Sequence, residues 1–242
     1  MKKTNLSQDE KIKDKSQSLF PFLLGAGFFI IYIYLCDRYI RWDLDTIKYL
    51  IFIMYFLWIA TFLLARKVTV YNHRFFLHPT SYIGQTEVNN QSNMRGFWAY
   101  LLFSFWMANM AILFGVLMFH YYTNFKYSDL FGGILYFTAF NIFTQGVIPI
   151  NLFNWLHILV TAMVFTGMTA VNIFLLIFFI KFDSVFLFPV ILPILSWMLV
   201  IFSLLYLASY LFRIRPGFFQ KLWIFTISLV LFSCSVFFCS LK

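Results

Sequence analysis

Charge is the scarcest commodity in this sequence. Asp, Glu, Lys and Arg make up 11% of 242 residues against 62% apolar ones, well short of the roughly one-quarter charged fraction of soluble domains, so a soluble globular fold is excluded. Acidic groups are the rarer half, nine against 18 Lys and Arg, and no acidic pair lies inside an apolar run. That leaves no carboxylate pair for a metal within a bilayer, so neither a metal nor a cofactor is expected. Cysteine is limited to Cys36, Cys234 and Cys239, each at or inside an apolar run and without ligand spacing, which supports neither a disulfide framework nor a zinc site. A glycine-rich phosphate loop, a GxSxG elbow and an HExxH pair are likewise missing.

Apolar sequence is what fills the chain. Phe alone supplies 35 residues and mean hydropathy is +0.82, more than a core can absorb, so lipid must solvate the remainder. Windows of about twenty uncharged residues give seven runs, roughly 19–36, 49–65, 97–119, 130–150, 152–180, 184–212 and 218–240. The reading is an all-α polytopic bundle. A polar tail at residues 1–18, with no small-residue cleavage site after it, precedes a single helical membrane domain at 19–242. Pro189 and Pro193 are expected to kink the sixth run, Ser128 or Asp129 to cap the fourth, and Gly25-Ala26-Gly27 and Gly132-Gly133 to permit close packing within or between chains. A homo-oligomer is therefore open.

Basic residues cluster at the ends of the runs, which reads as topology and anionic-lipid contact; nucleic acid is dismissed as a partner. With the N-terminus inside, the inner set is Lys2, Lys3, Lys11, Lys13, Lys15, Arg66, Lys67, Arg74, Arg95, Arg213, Arg215 and Lys221. The outer set is Arg38, Arg41, Lys48, Lys126, Lys181 and Lys242. Twelve against six favours a cytoplasmic tail, with the long 67–95 loop on the same side. Usage of Phe, Ile and Lys and the Met-Lys-Lys opening suit a bacterial inner, that is plasma, membrane.

The fifth run carries the most informative polar pattern. At 100° per residue Asn154, His157, Thr161 and Asn172 fall within about 60° of one another, a stripe expected to face protein or a cavity. Interhelical hydrogen bonding is its plain use. His157 is also a candidate ligand group, proton relay or general base, with Thr161 beside it. In the fourth run Asn141 and Gln145, at i and i+4, face one side and are placed to pair with this stripe across a short hairpin; Asn109 could join them. In the long loop, His73, Arg74, His78 and Glu87 combine acid, base and cation, but the His73–His78 spacing of i+5 suits no helical metal pair. Arg66, Lys67 and Arg74 at the membrane edge read as headgroup contacts.

Three segments in order, YNHRFFLHPTSYIGQTE (71–87), GVIPINLFNWLHILVTAMVF (146–165) and RPGFFQKLWIFTISLVLF (215–232), resemble the six-helix membrane family that unites the DRAM autophagy modulators, the Frag-type proteins of GPI-anchor remodelling and the Sfk-type proteins. The resemblance covers roughly 49–240. It falls on Ser81, Tyr82, Gly84, Thr86 and Glu87 in the loop, on His157, and on Gly217, Gln220 and Lys221. Gly84-Gln85 stands where the family has a Ser-Asp pair. What the resemblance implies is a lipid-linked role.

Three functions follow as expectations. The first is a noncatalytic lipid-binding or scaffolding membrane protein with membrane lipids as partners. A second is a small transporter or proton-coupled carrier using His157, Asn141, Gln145 and the Pro189/Pro193 kinks. Third is an intramembrane lipid hydrolase using His157 with Thr161 or a loop serine.

Overall fold

In lipid a chain must satisfy its backbone donors and acceptors internally, and each apolar run does so as a helix. The computed structural model describes residues 8–39, 43–74, 78–181, 188–212, 214 and 216–240. Its helices are α1 (Gln8–Tyr39), α2 (Leu44–Val68), α3 (Met94–His120), α4 (Ser128–Val147), α5 (Asn154–Lys181), α6 (Phe188–Leu211) and α7 (Pro216–Ser240). Among the described residues six of them, all but α6, are long and apolar enough to cross a membrane, and α6 contributes the apolar stretch Pro193–Ser209. The chain is an all-α multi-pass membrane bundle. Of the basic residues that orient it, Lys2, Lys3, Arg41, Arg213, Arg215 and Lys242 lie outside the described residues, as does the side chain of Cys239.

Several helix ends differ from the sequence expectation. Helix α1 starts at Gln8, so much of the polar tail continues the first helix. Helix α2 starts five residues early because Asp43 caps it, accepting from the Thr46 amide at 2.9 Å and the Thr46 hydroxyl at 2.6 Å, an arrangement that satisfies one orphan donor. Neither Ser128 nor Asp129 caps α4: Tyr127 holds that position without a side-chain bond, and Ser128 is buried in the first turn. Helix α6 is described from Phe188, with Pro193 as the proline inside it.

Helices α2 to α7 pack in sequence order and α7 closes on α2, forming a ring; α1 lies outside it against α3 and α4. The centre is apolar, with Phe131, Phe178, Met110, Ile112 and Leu117 almost fully buried. A void of about 30 Å³ among α3, α4, α5 and α7 is lined by Met107, Phe114, Leu135, Met168 and Cys234. Glycines let side chains of a neighbouring helix press against the backbone, as at Gly115 and Gly167. A Cβ on Gly115 of α3 would strike the Tyr136 ring of α4, and one on Gly167 of α5 would strike the Thr138 hydroxyl of α4. Of the small residues singled out in the sequence, Gly132 meets Phe119, Gly25 is in ordinary contact with Val147, and Gly27 and Gly133 have open space around them.

At the end of the ring where α2 gives way to α3, the connection folds back on the bundle. It holds a short 3-10 turn, Thr80–Gly84, and a hairpin pairing Glu87 with Ser92 and Val88 with Gln91. Asn89 and Asn90 make the hairpin turn at φ of 51° and 63°, the left-handed pair that a two-residue turn requires and that Asn tolerates. Asn93, 1% exposed, ties the base together. Its Oδ1 accepts from the Val70 amide at 2.9 Å and the Thr69 hydroxyl at 3.1 Å. Its Nδ2 donates to the carbonyls of Ile83 at 3.0 Å and Gln85 at 2.7 Å.

Candidate functional site

The loop does more than close on itself: it roofs one end of the bundle. Gln220 on α7 accepts from the Thr80 amide at 2.6 Å, and the neighbouring Lys221 donates to the His78 carbonyl at 3.1 Å. On the other flank Asn151, in the α4–α5 turn, accepts from the Thr86 amide and donates to the Thr86 hydroxyl, both at 3.1 Å. Both Gln220 and Lys221 are buried. The segments 71–87, 146–165 and 215–232 are thus joined at one end of the molecule.

Beneath this roof a groove of about 580 Å³ runs between α5 and α6. Pro79, Ser81 and Tyr82 of the loop form its polar end, together with His157 and Thr161 in the first turns of α5. From there Ala162, Phe165, Thr169 and Ile173 of α5 and Ser203, Leu204, Tyr206 and Leu207 of α6 line it. From His157 to Ile173 the helix rises about 24 Å at 1.5 Å per residue, more than half of a hydrocarbon core about 30 Å thick. Leu204 and Leu207 are exposed, so the groove opens sideways between the two helices. Phe165 sets its floor, its ring 4.6 Å from both Tyr206 and Trp223.

The predicted stripe on α5 divides once the helices are in place. His157 is 3% exposed; its Nδ1 lies 2.7 Å from the Ile148 carbonyl, while its Nε2 has no hydrogen-bonding partner among the described residues. Thr161 joins it in the groove, but its hydroxyl donates to the His157 backbone carbonyl at 2.7 Å and accepts from Gln145 Nε2 at 2.9 Å. That hydroxyl is committed and has no proton to give an imidazole. Gln145 therefore reaches across the α4–α5 hairpin as the spacing suggests. Asn141 is buried and donates within its own helix to Phe137, whereas Asn109 accepts from Tyr32 of α1 at 2.6 Å. Asn172 turns to α6, donating to the Ser196 carbonyl at 2.6 Å, and Asn154 is exposed at the first position of α5. Asn141, Gln145, Asn154 and Asn172 lie outside the groove lining.

A second cleft of about 430 Å³ lies at the end of α2, lined by Leu63, Arg66, Lys67, Tyr71, Asn72 and His73. Arg66 and Lys67 are exposed there, and Arg74, also exposed, is not part of the lining. Tyr71 of this cleft meets Tyr82 of the groove edge to face at 5.7 Å, so the aromatic side chains of the loop form the wall between the two. His73 is half-buried in that loop. Its own burial, with the cations of Lys221 and Arg66 beside it, pushes its pKa down to about 4.

Ser203 and Tyr206 also line the groove and were not among the candidates from the sequence, because neither belongs to a polar stripe as marked as that on α5. A faint signal was there: Ser196 and Ser203 are seven apart and fall about 20° apart on the helical wheel, a polar line on an otherwise apolar helix. No protein-family profile, curated protein or solved structure matches the chain.

Proposed function

We propose that this is a plasma-membrane protein, with its N-terminus and roof loop in the cytoplasm, that binds a membrane lipid with an acyl chain in the α5–α6 groove. The observation that carries the reading is the groove itself: long, apolar along its length, open toward the bilayer, and polar at the end where a headgroup region would lie. The lipid-linked role implied by the resemblance of the three segments to the DRAM, Frag and Sfk-type family is in keeping with this reading, and Ser81, Tyr82 and His157 of those segments line the polar end. Arg66 and Lys67 add positive charge at the same membrane edge, which favours a cytoplasmic, anionic leaflet. No reaction is needed to account for these features.

Filling the groove tests the reading. Ala162→Trp and Ala170→Trp each place a large ring among the lining residues. Protein purified in mild detergent is expected to carry a lipid species at near-stoichiometric level by mass spectrometry, and either variant is expected to lose most of it at unchanged yield. Wild type without such a lipid, or variants that retain it in full, would overturn the proposal.

A further inference from the structure

An acyl chain leaving the bilayer for an apolar groove gains little, because lipid tails are as apolar as the groove walls. Selection among lipids must therefore come from the polar groups of the groove, several of which have assigned hydrogen-bond partners. Thr161 is committed to His157 O and Gln145. The Ser203 hydroxyl donates to the Leu199 carbonyl at 2.7 Å and accepts from Trp223 Nε1 at 2.9 Å. The Tyr206 oxygen accepts from Gln220 Nε2 at 3.2 Å. His157 differs from these three. A carbonyl oxygen can only accept, so the 2.7 Å contact with Ile148 makes His157 Nδ1 an N–H donor. In the neutral form of that ring Nε2 is a lone pair, buried and without a partner among the described residues, and a buried acceptor left unpaired is costly.

Resting on the lipid-binding reading, we infer that His157 Nε2 selects lipids whose polar end carries a hydrogen-bond donor, a hydroxyl or an ammonium, at the level of the first turns of α5. Lipids whose polar end offers only acceptors or methylated groups leave the lone pair unsatisfied and are discriminated against. The asymmetry is the ordinary one for a site built around a buried polar group: it rejects an analogue that lacks the partner more strongly than it rewards one that has it.

Two matched pairs of lipids test this on the wild-type protein without any substitution. Native mass spectrometry of the delipidated chain with 1,2-dioleoylglycerol and its 3-O-methyl ether reads the hydroxyl donor; dioleoyl phosphatidylethanolamine against the phosphatidylcholine reads the ammonium. At least one donor-bearing member is expected to bind about tenfold more tightly than its partner, the ratio for one lost buried hydrogen bond. The pair showing the preference identifies which donor the site takes. His157→Phe, which keeps a planar ring and removes Nε2, is expected to erase that ratio while still binding both members. Equal binding within both pairs overturns the inference and leaves the lipid-binding reading standing. A ratio that persists in His157→Phe also overturns it, because the preference then arises elsewhere. Failure of all four lipids to bind wild type removes the reading and the inference together.

Discussion

Toward α4, helix α5 presents Gly167 so close to Thr138 that no Cβ fits between them, and Gln145 reaches across to Thr161. Toward α6 the same helix presents Ala162, Phe165, Thr169 and Ile173 to a groove of about 580 Å³. Small side chains occur on both flanks, so residue size alone does not explain why one is closed and the other open. On the closed flank a glycine meets a small polar partner, and backbone contact plus one interhelical hydrogen bond supplies the dispersion and polar energy that hold helices together in lipid. On the open flank the small residues lie above and below Phe165, whose ring is wedged against Tyr206 and Trp223. That wedge sets the spacing of α6, and the alanines and threonines around it cannot fill what is left.

The closed flank is the place to expect the largest effect. Gly167→Leu forces a branched side chain into Thr138, and such overpacking costs about 3 kcal/mol, which for a chain of this size lowers Tm by about 8 °C. The same enlargement on the open flank, Ala170→Leu, meets only groove and is expected to shift Tm by less than about 1 °C. Thermal unfolding of the two variants side by side in one detergent checks the contrast. Equal losses would mean that the groove is not open space.

A smaller effect is expected where the roof is tied down. Asn93→Ala removes four hydrogen bonds and leaves the Val70 amide and the Ile83 and Gln85 carbonyls without that partner. At about 1 kcal/mol for each buried group the base of the loop can no longer reach, less what water recovers, the cost is about 2 kcal/mol. Because the loop lies over one end of the groove and not between the helices, the loss is expected to be local: protease cleavage within 69–92 accelerates, while cleavage at the α3–α4 turn does not. Uniform acceleration at both sites would show instead that the loop supports the whole bundle.

These two regions were not equally legible in the sequence. The α4–α5 pairing could be read because a short connection forces antiparallel neighbours, and Gln145 and Thr161 each lie on a face fixed by helical periodicity. The seven helices could be read for the same kind of reason, since apolar run length is a one-dimensional quantity. The groove could not. Its width depends on where α7 holds α6, through Trp223 to Ser203 and through Gln220 to Tyr206, and on Phe165 of α5 packing against Tyr206 and Trp223, side-chain contacts that the length of an apolar run does not specify. Asn154 fits the stripe by angle, yet it sits at the helix end, where no neighbouring helix covers it. Asn93 gave no signal, because its four bonds depend on a loop path that periodicity does not describe. His157 was visible as a polar group on an apolar helix, but its orphaned nitrogen is a property of the Ile148 carbonyl and the roof.

The smallest effect expected on the roof is reversible and comes from protonation. His73 has a folded-state pKa of about 4 against 6.5 for the free side chain, because burial and the Lys221 and Arg66 charges disfavour its cation. Between those values the unfolded loop binds the proton and the folded loop does not, so stability rises with pH across this window and is lost on acidification from about 6.5 toward about 4. Each pH unit would be worth about 1.4 kcal/mol for a fully enclosed group, but His73 is only half-buried, and solvent screening reduces the sum to about 1 kcal/mol. Proteolysis within 69–92 is therefore expected to quicken severalfold between pH 7 and pH 4.5 in wild type and to quicken less in His73→Gln, which cannot take up the proton. An identical pH dependence in the two proteins would assign the acid sensitivity to another group. In that case the proximity of His73 to Lys221 and Arg66 would be a matter of packing without electrostatic consequence for the roof.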